Sequence, residues 1–286
     1  MLELLVFPKK GERHPLSLFF VGLLYSSIAF LLVKFIFSKD VVLSSNSGMM
    51  IVMFTCLLSI IFFFFALRLD EKTNIRDRSE GMAMRDDWKV LKMLLYLFLG
   101  FIVGFLVWQL VFPGQVEFNS QMQTYCVINK PLQYQDCLDS YKIGDTLQNI
   151  PKGIKGNFLS IFSNNILVTI VLLFASLLFG AGVIFIIAWN ASIIASVIAF
   201  SAQYNFSQIP LWFAKFMLHG IPEVAGYFLI AMAGGISSFA ITSYFREKLS
   251  QESLMRVIRR ALWLVIIGII LLAIAALIEV YVSSLI

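Results

Sequence analysis

The chain has 286 residues, of which 59% are hydrophobic and 14% charged, with a formal net charge of +5 and a mean hydropathy of +0.87. Soluble domains carry about 45–50% apolar and about 25% charged residues, and no soluble core of this size could hide the excess. These values exclude a soluble domain. The cations cluster beside apolar runs, which matches them to anionic lipid headgroups and gives no nucleic-acid partner.

The apolar residues fall in long runs: Leu16 to Phe37, Ser47 to Leu69, Met93 to Phe112, Ile161 to Ala202, Gly220 to Phe245 and Ala261 to Ile286. A membrane-crossing helix needs about 20 residues, and lipid forces the backbone to pair its own polar groups. The short alternating segments of a barrel, about 10 residues each, do not occur. The expected fold class is therefore all-α, a polytopic transmembrane helical bundle. A basic lead, Met1 to Pro15, precedes the first run, which is longer than the roughly 7–15-residue core of a signal peptide and reads as a retained helix.

In chain order, three spans are expected at 16–37, 47–69 and 92–112. The run from Ile161 to Tyr204 is too long for one ordinary helix and is expected to split near Trp189–Asn190. A sixth crossing follows at 220–244 and a seventh at 261–283. Fourteen cations lie in the lead, in the connection from Lys72 to Lys92 and in that from Arg246 to Arg260. All three segments share one side if seven spans alternate, so the N-terminus is expected in the cytoplasm and the C-terminus outside. The reading is a multi-pass protein of the cell membrane in three parts: 1–112, an outside loop 113–157, and a core 158–286.

The connection Asp70 to Lys92 mixes charges of both signs and reads as a solvated helical hairpin, with a docking surface as the sharper alternative. The outside loop holds Cys126 and Cys137, with ten residues between them. Disulfides persist outside the cytoplasm, so the two are expected to be bridged. Cys56, inside the second span, reads as apolar filler. Phe206 to Leu218, with Pro210, Trp212 and Lys215, reads as an amphipathic helix at the outer interface. A re-entrant half-helix is the alternative.

The richest local pattern is His219-Gly220-Ile221-Pro222-Glu223. Proline is favoured in a first helical turn, and a carboxylate there meets the positive end of the helix dipole. The segment therefore reads as a helix start with polar groups at its mouth, either a structural cap or a proton or substrate site. Asn165 opens the fourth span and Asn190 lies at the expected turn. Gly180, Gly182, Gly226, Gly234 and Gly235 permit close helix approach. Glu279 reads as interfacial and structural. The chain has two histidines and no zinc-hydrolase, nucleophile-elbow or phosphate-loop pattern. No catalytic, cofactor-binding or metal-binding residue is expected, and the chain reads as a non-enzyme.

Taken together, Asn164–Asn165, Gly180 to Gly182, Trp189–Asn190, His219 to Glu223 and Ala231 to Gly235 resemble the core of the stage II sporulation protein M (SpoIIM) family over residues 160–245. Where that family turns on Asn-Gly, this chain has Asn190–Ala191. The resemblance implies a non-catalytic membrane scaffold that recruits partner proteins. In spore formers the namesake recruits peptidoglycan-degrading partners, but relatives also occur in organisms without spores. The expected partners are membrane lipid and other membrane or extracytoplasmic proteins, and a homo-oligomer is compatible with the reading. The rival expectation is a transporter or channel subunit with a polar pathway near His219 and Glu223.

Overall fold

A computed structural model describes residues 16–37, 40, 43–44, 46–59, 80–112, 116–129, 134–140, 158–179, 182–204, 207, 209–246 and 249–281. The lead 1–15, residues 70–79 of the mixed-charge connection, Lys39, Lys130, Lys142, Lys152, Lys155 and Gly180 lie outside the described residues.

The described chain is almost entirely helical. Helix α1 spans Leu16–Leu32 and continues into a π-helical turn, Val33–Phe37. Helix α2 is Ser47–Ser59 and α3 is Glu80–Val111. A 3-10 turn, Val116–Phe118, leads into α4, Asn119–Asn129, and α5, Tyr134–Ser140. Then come α6, Phe158–Phe179; α7, Gly182–Tyr204; α8, Ile209–Phe245; and α9, Gln251–Tyr281.

Four stretches are long and apolar enough to cross a membrane: Leu16–Phe37, Leu91–Val111, Met217–Phe245 and Gln251–Tyr281. Ser47–Ser59, Ile161–Phe174 and Ile184–Phe200 are shorter apolar helices. Their outward faces are apolar as well. Leu167, Ile170, Val171 and Phe174 of α6 and Ile266, Ile267 and Ile270 of α9 are exposed. Such stripes would be costly in water and suit hydrocarbon, so the chain is a membrane protein.

The structure corrects two expectations. Trp189 and Asn190 lie inside α7, so the turn expected there is not found; α6 is described as far as Phe179 and α7 from Gly182. Asn190 stays helical because its Nδ2 donates to the Ile186 carbonyl at 2.9 Å, one turn back. The resulting helices have 22 and 23 residues, not one normal and one short. The second correction concerns His219 to Glu223, which do not start a helix. Pro222 lies inside α8, which runs unbroken from Ile209, so residues 209–218 of the expected interfacial segment are continuous with that helix. Proline removes one backbone hydrogen bond, but a membrane helix held by its neighbours tolerates the loss. Met217, Val224, Tyr227 and Phe228 pack this stretch into the core.

Close backbone approach sets the helix pairs. A Cβ on Gly22 of α1 would lie 2.5 Å from the Leu97 carbonyl oxygen of α3, and one on Gly100 would strike the Phe19 carbonyl. In the α8–α9 pair, a Cβ on Gly226 would lie 2.9 Å from the Gly268 carbonyl oxygen. Helix α6 packs on α8, and α7 packs on α3 and α8. Phe30 stacks on Trp108, Phe112 and Phe118 with centroids 5.7, 6.0 and 6.1 Å away.

At that same end Lys34 Nζ lies 2.6 Å from Glu117 Oε1. Ser47 Oγ donates to the Glu117 carbonyl at 3.2 Å. These contacts tie the ends of α1, α2 and α3 to the 3-10 turn. Cys126 and Cys137 are bonded as expected, with Cα atoms 5.9 Å apart. They join α4 to α5, and Met122, Tyr125, Tyr134 and Leu138 pack around them against Val197 and Ile198 of α7. The disulfide unit is therefore seated on the bundle and is not a free loop.

The glycine geometry separates two substitutions. A Cβ on Gly220 meets nothing within 4 Å, so Gly220→Ala should leave stability unchanged or raise it by up to about 1 kcal/mol. Gly226→Ala should lower it by about 1–3 kcal/mol. Thermal unfolding of the two variants in detergent checks the order, and equal midpoints would refute it.

Candidate functional site

The inward face of α6 repeats Asn165, Thr169, Leu172 and Ser176, spacings that share one side of a helix, and all four are buried. Thr169 Oγ1 is satisfied within its own helix by the Asn165 carbonyl at 2.7 Å. The Asn165 side chain instead reaches across to α8. There Glu223 and Tyr227 stand four residues apart on one face.

The Tyr227 hydroxyl lies 2.9 Å from Glu223 Oε1 and 3.2 Å from Asn165 Oδ1. Tyr227 is 3% and Asn165 4% exposed, so these groups depend on one another for hydrogen bonds. A phenol has one hydrogen to donate. It can go to Glu223 if the Asn165 amide is turned so that its NH2 donates to the phenol oxygen, an orientation that heavy-atom positions alone do not distinguish. Tyr227 then bridges two helices, donating to Glu223 and accepting from Asn165.

Glu279 of α9 lies within electrostatic reach of both Glu223 and Tyr227. Helices α6, α8 and α9 thus each bring a polar side chain towards one cluster. His219 lies one turn before Glu223 and is half-buried, as are Glu223, Pro222 and Glu279. Asn190 stands apart from the hydrogen-bonded cluster, but it and Tyr227 line one crevice with Leu172, Ile186, Val224 and Phe228. Gly234 faces α6, where an added Cβ would lie 2.7 Å from the Ser176 Cβ. Gly235 is buried beside it. Gly182 opens α7.

Of the residues singled out in the sequence, the structure joins Asn165 to Glu223 through Tyr227, which sequence reasoning missed. Its signal was available: Tyr227 is four residues beyond Glu223. Glu279, read from the sequence as interfacial and structural, lies within electrostatic reach of the cluster. The group offers carboxyl, phenol and amide functions that join α6 to α8, with the Glu279 carboxyl of α9 within electrostatic reach.

The model of the family described as Stage II sporulation protein M matches residues 92–284. The match takes in α3 and the disulfide unit as well as the stretch whose motifs are legible by eye. An uncharacterized protein of Methanocaldococcus jannaschii is 32% identical over 143 residues, covering 50% of this chain and 80% of that relative. No solved structure matches the chain. With the family's model matching well over half of the sequence, from within α3 through to the end of α9, the chain belongs to the stage II sporulation protein M family.

Proposed function

We propose that the chain is a non-catalytic membrane scaffold that organises partner proteins, and that it crosses the cell membrane seven times with its N-terminus in the cytoplasm and its C-terminus outside. The observation that supports the scaffold reading most is the seating of the disulfide unit. Lys34–Glu117 anchors it on one side and the apolar contact with Val197 and Ile198 on the other. A covalently braced, fixed surface of this kind suits docking, because a partner need not order it on binding.

The seven crossings comprise the four long apolar stretches and the three shorter apolar helices. Support for this count comes from the ends. The disulfide unit meets the end of α1, the start of α2 and the end of α7, as strict alternation requires. The placement of basic residues supports the orientation. On this reading the Asn165–Tyr227–Glu223 cluster is internal bracing that shapes the outer face, with partners meeting that face near His219 and Glu223.

If the cluster is bracing, Tyr227→Phe should lower stability by about 1 kcal/mol, since both hydrogen bonds are lost. An unshifted unfolding midpoint in detergent would contradict this role. Crosslinking in native membranes followed by mass spectrometry tests the function, using wild type and Glu223→Gln at matched expression. The expected result is the same specific partner captured by both forms. Recovery of the chain alone from both would contradict the scaffold and direct attention to flux across liposomes.

A further inference from the structure

The exposed face of α9 has an ordered composition. Reading along it, Met255, Arg256 and Arg259 are followed by Leu262 and Trp263, then Ile266, Ile267, Ile270, Ile274 and Leu277, and finally Tyr281. These positions recur every three or four residues, so they form one continuous stripe. Trp263 and Tyr281, 61% and 64% exposed, stand about 27 Å apart along the helix at 1.5 Å per residue. Hydrocarbon is about 30 Å thick, and Trp and Tyr prefer its two borders. The stripe therefore fixes the depth of α9. Arg259 and Arg256 lie about 6 and 10 Å beyond Trp263, in the headgroup layer.

A second helix agrees with this placement. Phe98 of α3 packs edge-on against Phe228 of α8, with centroids 6.3 Å apart. Towards the same end of the bundle, α3 carries exposed Lys92 and Trp88, with Lys92 Nζ 5.5 Å from the indole centroid. An aromatic and basic layer thus recurs on two separate helices at similar depth.

We propose that Arg256 and Arg259 bind the phosphate of anionic phospholipids in the leaflet at this end of the bundle. Guanidinium groups offer paired N–H donors that suit phosphate oxygens. Arg256 Nη2 also meets Ser253 Oγ at 3.0 Å, which fixes the height of that side chain. Arg260, half-buried, and exposed Arg246 add to the positive field. Glu252 is exposed one turn further out, beyond the two arginines. The inference rests on α9 crossing the membrane and is independent of the scaffold reading.

The test reconstitutes the full chain in nanodiscs of mixed phosphatidylcholine and phosphatidylglycerol, extracts it in detergent, and measures retained lipid by mass spectrometry. Wild type should retain phosphatidylglycerol preferentially. The Arg256→Gln/Arg259→Gln double variant should lose about fivefold for each cation removed, while the corresponding double lysine variant should keep most of the preference. If size-exclusion shows the double glutamine variant misfolded, Arg259→Gln alone serves, with about a fivefold loss expected. Equal phosphatidylglycerol retention by wild type and the well-folded glutamine variant would overturn the proposal, as it would if the two arginines served an acidic protein partner.

Discussion

Every polar group that enters the bundle must find its partner inside the protein, because hydrocarbon offers none. Most find it in their own helix. Ser26 donates to the Gly22 carbonyl, Thr55 to Ile51, Ser59 to Thr55, Thr169 to Asn165 and Ser196 to Ser192, each one turn back. Hydroxyls satisfied in this way do nothing to hold one helix to another. Helix association then falls to close packing at Gly22, Gly100, Gly226 and Gly268, to interleaved aromatic rings, and to a few bonds that do cross. Tyr227 makes the crossing bond between α6 and α8, and Lys34–Glu117 makes the one between α1 and the disulfide unit.

This division of labour explains what was legible in the sequence. Apolar runs announce helices because the same rule acts on every backbone group, so the all-α membrane class could be read from composition alone. Cys126 and Cys137 were legible for a similar reason: two cysteines in a polar loop leave few chemical alternatives. The helix breaks were not. Asn190 looks like a turn residue until its amide is seen to cap its own helix at Ile186, and Pro222 looks like a helix start until the buried residues around it are seen to carry the helix through. In both cases local propensity was overruled by packing that a sequence does not display.

The candidate site shows the same limit. Asn165, His219 and Glu223 stood out because polar residues are rare in apolar runs. Tyr227 did not, since tyrosine is ordinary in a membrane helix and its importance lies in what it touches. Lys34 stands near the end of the first apolar run, but its partner Glu117 lies 83 residues away in sequence, and no periodicity links the two. The seating of the disulfide unit depends on that pair, so it could not be read from the sequence.

The proposed scaffold role puts a partner protein on the surface braced by Cys126–Cys137 and fixed to the helices beneath it. Gln135 of α5 is exposed on this unit. A photoreactive residue placed there, activated in native membranes and analysed by mass spectrometry, tests the claim most directly. A scaffold should give capture of one defined partner protein, lost when the same probe is moved to exposed Ile270 of α9. Labelling of lipid or of the chain itself alone, with no other protein captured from the Gln135 position, would contradict it.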